Sequence, residues 1–244
     1  LSVEDTGTGM EKSIQEKILF QVKEFGATTA GIARVDDLRA SPSYERYQQD
    51  PYYEFFEGLP DLPKEAKSIL IFSLRHEKSE PQLDWWDPNP GGTPGNRLLI
   101  QIQKKMRSWL EDVLGIKAIS LPYKIENGGI FLKDSAALAG IGIIGKNNLL
   151  LTPEFGASVR LRAMFLDISL EQTGPLDFDP CTDCHKPCFQ ACPQKAFRNG
   201  YYQRKYCQIQ MRSDEENVKP LPTDPNIDHV RYCRACELAC PLAR

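Results

Sequence analysis

The sequence predicts an α/β sandwich over residues 10–175 followed by a small metal-organised unit over residues 176–244. Three observations carry this reading. Apolar patterns of helical and of strand period alternate from Lys12 to Ile168, as layered α/β structure requires. All 8 cysteines fall after residue 180, where that periodicity stops. Between the two regions, Pro175 to Pro180 makes a short acidic linker bounded by prolines. A chain of 244 residues is long enough to bury one substantial core and carry a small appendage.

Residues 1–9 are polar and aperiodic, precede Met10, and read as an expression leader outside the fold. Ile14, Ile18, Leu19, Val22 and Phe25 recur at helical spacing, and Gly26 ends that helix. Ala30 to Ala33 reads as a small-residue strand, Tyr44 to Phe56 as an aromatic-rich helix, and Ser68 to Leu74 as a buried strand. Residues 76–96, around Trp85 and Trp86, form a long Pro/Gly-rich loop that is either a lid or a surface excursion. Leu98, Ile102, Met106, Trp109, Leu110 and Val113 mark an amphipathic helix stopped by Gly115. A strand from Ile116 to Leu121, a short helix from Leu132 to Ala139 and strands from Asn148 to Thr152 and Arg160 to Ile168 complete the sandwich.

The cysteines read Cys181-x2-Cys184-x3-Cys188-x3-Cys192-Pro193, then Cys207, then Cys233-x2-Cys236-x3-Cys240-Pro241. Short spacings let one turn supply three thiolates. The Cys-Pro endings are close to bacterial ferredoxin runs, in which the last cysteine ligates the other cluster. The pattern therefore predicts two [4Fe–4S] clusters, one on Cys181, Cys184, Cys188 and distant Cys240, the other on Cys233, Cys236, Cys207 and distant Cys192. Zinc and disulfides are the alternatives. Tetrathiolate zinc also uses Cys-x2-Cys pairs but gives the Cys-Pro endings no purpose. Disulfides need an oxidising compartment, and no secretory pattern opens the chain. With little apolar periodicity after residue 180, the clusters themselves are expected to act as the core there.

Composition narrows the partners. Lys and Arg number 30 against 33 Asp and Glu, a formal charge of −3, so no global basic field draws in polyanions and nucleic acid is not expected among the partners. No apolar run approaches a membrane span, so no membrane partner is expected; with reduced thiols, the cytoplasm is the expected location.

A second constellation precedes the cysteines. Glu126-Asn127-Gly128-Gly129 is followed by Leu132-Lys133-Asp134 and then Gly140-Ile141-Gly142-Ile143-Ile144-Gly145-Lys146-Asn147. Gly140, Gly142 and Gly145 permit close backbone approach to something flat or anionic, and Lys146 adds a positive charge. The other reading of such a turn is a tight helix-to-strand connection. Arg160 and Arg162 are either partners for a cofactor's polar groups or half-buried strand charges. His76, His185 and His229 share no ligand spacing.

The glycine segment, the following Thr152-Pro153-Glu154-Phe155-Gly156 with Arg160, and the paired cysteine runs together resemble epoxyqueuosine reductase and its reductive-dehalogenase relatives over most of Lys12 to Leu242. The resemblance implies a cobalamin held base-off in a domain related to flavin nitroreductases and cobalamin-processing proteins, with Gly140, Gly142, Gly145, Lys146, Asn147 and Arg160 as candidate cofactor contacts. It also implies a ferredoxin-like domain relaying electrons to cobalt. Those reductases carry a proton-donating aspartate fourteen residues before the first glycine of the turn, in an Asp-Ser-Ala-Pro context; counting back from Gly140 lands on Glu126, one methylene longer and in different surroundings. The tRNA-acting enzymes continue into helical repeats, whereas this sequence ends at Arg244, so their tRNA surface is expected to be missing or supplied elsewhere.

The function expected is a corrinoid-dependent iron–sulfur reductase, fed by an external low-potential donor of ferredoxin or flavodoxin type and acting on a small molecule or on the corrinoid itself, with Glu126 as acid. An electron carrier without chemistry of its own, and a tRNA epoxyqueuosine reductase lacking accessory repeats, are the alternatives.

Overall fold

Strand β2 (Ser68–Arg75) alternates Ile69 and Ile71 with Leu70 and Phe72, all fully buried, so both faces of the strand need cover. The computed structural model, which describes residues 13–49 and 62–243, supplies it with helices on either side. β2 sits inside a four-stranded sheet of order β1-β2-β6-β3, with β1 at Thr29–Arg34, β3 at Ala118–Ser120 and β6 at Val159–Leu166, while β4 (Ile143–Ile144) and β5 (Leu150–Leu151) pair separately. On one face, Ile32, Leu70, Phe72 and Met164 meet Ile18 and Val22 of α1 (Ile14–Glu24) and Leu99, Ile102, Met106 and Leu110 of α4 (Pro94–Leu114). On the other, Ile69, Ile71, Ala163 and Phe165 meet Leu38 of α2 (Val35–Arg39) and Ala136 of α5 (Leu132–Leu138).

The layered α/β arrangement expected from the sequence is present as an open sheet flanked by helices, and every strand pair in it is antiparallel. Alternating helical and strand patterns do not force parallel pairing: β1 and β2, successive strands with helical residues between them, pair directly and antiparallel. Helix ends follow local chemistry. Ser13 and Glu16 form a reciprocal capping box on α1, and Gly115, at φ 66°, closes α4. The aromatic-rich helix appears as α3 (Pro42–Gln49), and its expected continuation to Phe56 and the leader at residues 1–9 lie outside the described residues.

Beyond residue 180 the elements are short: α6 (Pro187–Ala191), α7 (Arg204–Glu216), a hairpin of β7 (Lys219–Leu221) and β8 (Asp224–His229), and α8 (Ala235–Leu238). Helix α7 buries none of its residues and so shows no apolar stripe in the sequence. Among the described residues, no helix is long and apolar enough to cross a membrane.

Candidate metal centre

The first cysteine run is shaped by its polar neighbours. Asp179 accepts the backbone N–H groups of Cys181 and Thr182 at 2.9 and 3.2 Å, setting the turn that opens the run. Lys186 then takes a left-handed φ of 53°, bending the chain at the extra residue, and its N–H points at Cys184 Sγ, 3.4 Å away. Pro187 starts α6, which carries Cys188 into a buried position. Ala196 N–H lies 3.3 Å from Cys192 Sγ. Backbone donors aimed at sulfur suit thiolates better than neutral thiols.

The eight cysteines are all free. Burial pushes the Cys188 thiol up, and the nearby Cys240, Cys184 and Cys181 add to the shift. Burial pushes Cys236 up to about 12, and the charges of Cys207, Cys233, Cys192 and, least, Cys188 add to the shift. Four acidic groups crowded together in partial burial cannot all ionise unless a cation takes their charge. Cys181, Cys184, Cys188 and Cys240 stand around a cavity of about 580 Å³. Among the described residues, no three His, Cys, Asp or Glu side chains close on one point as ligands of a single ion do. Thiols spread around a cavity, with N–H donors on their sulfurs, fit an iron–sulfur cluster.

The far wall of that cavity comes from the glycine turn. Lys146, Asn147 and Leu151 line it together with the four thiols, and Lys146 Nζ reaches the carbonyl oxygen of Cys181 at 3.5 Å. Asn147 is 3% exposed; its Oδ1 accepts from Leu149 N–H, while its buried Nδ2 has no partner. The turn is held by Lys133, whose Nζ donates to the carbonyl of Asn148 at 2.6 Å; burial pulls this ammonium below the usual lysine range.

The glycines have a different use from a cofactor cradle. A Cβ on Gly142 would lie 2.2 Å from the Leu151 carbonyl oxygen, one on Gly145 would lie 2.4 Å from Leu151 Cδ1, and Gly140, at φ 68°, packs on Thr173 and Gly174. Their close approaches are made to the protein itself, as in a tight helix-to-strand connection. The packing alone accounts for glycine at these three positions, and Lys146 and Asn147 are the turn residues that line a cavity.

Arg160 is likewise engaged inside the protein. Its Nε donates to Asp84 at 2.8 Å and its Nη2 to Glu237 at 2.9 Å. Arg234 contacts the same two carboxylates, Asp84 at 2.6 Å and Glu237 alongside, so four charges alternate in a closed ring. Burial pushes the Asp84 carboxyl up, but the His76 hydrogen bond and the Arg160 and Arg234 charges outweigh it and hold it below the usual carboxylate range. Arg162 is buried and donates to Gln103 and Asn96.

The long loop is not a free excursion. Trp86 exchanges backbone hydrogen bonds with Val230, and Trp85 stacks on His229 at 4.5 Å under the Arg231 guanidinium at 4.1 Å, which ties the loop to the second cysteine run. Glu126 lies in a short helical turn, Ile125–Asn127, ended by Gly128 at φ 89°; its side chain lies outside the described residues. Asp84, Arg234, Glu237 and Lys133 were not singled out by sequence reasoning, although Arg234 and Glu237 bracket Cys236 and that position was the available signal.

No protein-family model matches the chain. Among curated proteins it is 24% identical to the epoxyqueuosine reductase of Lactococcus garvieae over 253 residues, covering 94% of this chain and 70% of that protein. It is 33% identical to the Bacillus subtilis epoxyqueuosine reductase over 137 residues, 54% of this chain and 35% of that one. Among solved structures, the epoxyqueuosine reductase of Streptococcus thermophilus superposes with a TM-score of 0.66 at 19% identity, covering 95% of this chain and 66% of that one. A reductive dehalogenase solved with 3-bromo-4-hydroxybenzoic acid superposes at 0.53 and 18% identity over 78% of this chain and 27% of that one. The chain spans about two thirds or less of most of these relatives. These likenesses bear out the resemblance read from the sequence and the enzyme class, an oxidoreductase.

They also overturn one expectation. An epoxyqueuosine reductase of similar fold, with a TM-score of 0.65 at 20% identity over 93% of this chain and 64% of that one, was crystallised with a tRNA stem loop, so excluding nucleic acid from the partners does not stand. The exclusion rested on a whole-chain charge of −3, and an average over 244 residues says nothing about local fields.

Proposed function

We propose that this chain is an iron–sulfur reductase of the corrinoid-dependent kind, with two [4Fe–4S] clusters held by Cys181, Cys184, Cys188 and Cys240 and by Cys192, Cys207, Cys233 and Cys236. The observation that carries the reading is the shared cavity, in which the first four thiols face Lys146 and Asn147 of the glycine turn. That neighbourhood makes the first cluster the exit, towards the α/β layer. The second makes the entry, because Cys233 is the exposed cysteine of the eight. Residues 10–175 would then form a nitroreductase-like or cobalamin-processing-type domain and residues 176–244 a ferredoxin-like one.

The corrinoid part of the proposal rests on similarity to proteins that include one described by B12-dependent dehalogenation, not on the three glycines. A bound corrinoid would supply a low-potential metal reductant, base-off because no histidine stands in a ligand motif. The chain's own residues hold the thiolates, place N–H donors on sulfur and fix the turn beside the exit cluster. Glu126 is the proposed acid. Glu126→Gln should lower turnover by roughly a hundred-fold or more, as loss of a general acid does, with cluster content unchanged.

Anaerobically reconstituted protein should contain about eight iron and eight acid-labile sulfide per chain. Titration with cobalamin should shift the visible spectrum and give co-elution on a sizing column. Absence of both removes the corrinoid and leaves an electron carrier. A second reading, reduction of epoxyqueuosine in tRNA, is favoured by the names of the curated relatives. Incubating the reduced, cobalamin-loaded protein with epoxyqueuosine-containing tRNA tests it, and conversion only in a free nucleoside or in neither would reject it.

A further inference from the structure

The stretch from residue 184 to 213 contains six Lys and Arg and no Asp or Glu, in a chain whose net charge is −3. Much of it is the exposed side of α7. Lys205, Ile209 and Arg212 follow one another at helical spacing on that side, with Ile209 51% exposed. At its N-terminal end stand Lys195, Arg198 and Tyr201, the last 53% exposed. The helix carries no acidic residue in its first turn and no basic one in its last, the reverse of what its dipole favours. Its acidic end is turned to other work, since Asp214 accepts the Cys233 N–H at 2.7 Å and Glu215 the Tyr232 hydroxyl at 2.8 Å. Lys205 lies 5.1 Å from the Tyr206 ring and Arg198 covers the same ring, yet Lys205, Arg212 and Arg198 stay exposed, so the face presents positive charge to a partner at a cost in helix stability.

Position identifies the kind of ligand. Cys207 lies on the same helix, about half a turn from Lys205, and Cys192 immediately precedes Pro193-Gln194-Lys195. Whatever docks on the outer side of α7 is one helix thickness, about 10 Å, from the thiols of the entry cluster. We propose that this face docks an acidic one-electron carrier protein, which reduces that cluster; the inference rests on the iron–sulfur reading above. Each encounter transfers one electron, oxidising the carrier by one and reducing the cluster by one, with no atom exchanged. The apolar Ile209 and Tyr201 within a basic rim suit a small protein interface. Single-stranded nucleic acid is bound on successive aromatic faces, and here the Tyr206 ring is covered by the Arg198 guanidinium at 3.6 Å, which leaves Tyr201 as an isolated exposed ring.

The test uses the full, cluster-loaded chain under anaerobic conditions, with two reductants mixed in a stopped-flow instrument: reduced flavodoxin, as acidic carrier, and reduced methyl viologen, a small cation that needs no docking face. The expected results are a wild-type flavodoxin rate that falls steeply as salt rises, and a rate at least tenfold lower in Lys205→Glu/Arg212→Glu with the viologen rate preserved. Lys205→Gln, a milder change on an exposed residue, should give a smaller loss in the same direction. A flavodoxin rate indifferent to salt overturns the proposal without recourse to any variant. So does a charge-reversed protein that keeps that rate but loses affinity for a tRNA stem loop, which would make the face a nucleic-acid surface. Failure of both reductants to bleach the wild-type protein overturns the iron–sulfur reading itself.

Discussion

Arg160 Nη2 lies 2.9 Å from Glu237 Oε2, a contact that joins β6 to α8, the helix that carries Cys236. The same guanidinium holds Asp84 in the long loop at 2.8 Å, and Arg234 closes the ring on both carboxylates. Three distant pieces of chain are thus fixed to one another by paired charges, so the cysteine-rich segment has a set position against the α/β layer. With charges alternating, the ring adds no net charge beside the thiols.

Arg160→Met should destabilise the protein by about 2–4 kcal/mol. Breaking a buried pair costs roughly 3–5 kcal/mol because a partner is left uncompensated, and the figure is reduced here because Arg160 is 27% exposed and Arg234 remains. Anaerobic denaturation followed by the iron–sulfur absorbance checks it; a loss under about 0.5 kcal/mol, typical of neutral surface changes, would mean the ring is not structural.

The sequence made the sheet legible because β2 and β6 are long apolar runs, and α4 because its stripe recurs over 21 residues. The antiparallel pairing was not legible, since apolar period says which faces are buried and not which strands meet. Helix α7 was missed because nothing on it is buried, and the hairpin because Pro220 and Pro225 interrupt any strand pattern. At the site, spacing together with the ferredoxin-type crossing predicts Cys188 with Cys181, Cys184 and Cys240, four residues that line one cavity. The role of Arg160 could not be read, because its partners lie 76 and 77 residues away in sequence.

His229 should make stability depend on pH near neutrality. The side chain is 1% exposed beneath Trp85, and burial, then the Arg231 charge, hold its pKa below the usual histidine value. Between the depressed folded pKa and the unfolded value of about 6.5, the unfolded chain binds a proton that the folded chain does not. Stability should therefore rise with pH through that window and fall as the medium is acidified below about 6.5. Denaturation midpoints measured across it should show this slope in the wild type and a weaker one in His229→Gln; equal slopes would exclude His229 as the cause.

Gly142→Ala should be costly although φ is not the obstacle. The added Cβ would fall 2.2 Å from the Leu151 carbonyl oxygen, a backbone atom that cannot swing aside. Overpacking of this kind costs about 1–3 kcal/mol. Gly128→Ala is the informative companion: its Cβ would meet nothing within 4 Å, but its φ of 89° penalises any side chain through the backbone alone. Thermal denaturation should rank Gly142→Ala as the worse of the two, and the reverse order would mean that the turn relaxes around the new methyl group.

Cys240→Ala should damage the cluster that is remote from it in sequence. Cys240 lies in the second run, yet burial and then Cys181 and Cys184 are what push its thiol up, and Cys240 in turn heads the thiols acting on Cys188. Cys236, four residues earlier, is pushed up first by burial, then by Cys207, Cys233 and Cys192, and least by Cys188. Removing the Cys240 sulfur therefore opens the cavity shared with Lys146 and Asn147, and leaves the Cys192, Cys207, Cys233 and Cys236 set complete. After anaerobic reconstitution, about half of the iron should be lost, and paramagnetic resonance of the reduced protein should retain one cluster signal without the magnetic coupling that two neighbouring reduced clusters produce. Cys192→Ala, the reciprocal change, should spare the other cluster. If both variants lost the same signal, or if Cys240→Ala lost the one that also disappears in Cys233→Ala, the crossed arrangement of the two runs would be wrong.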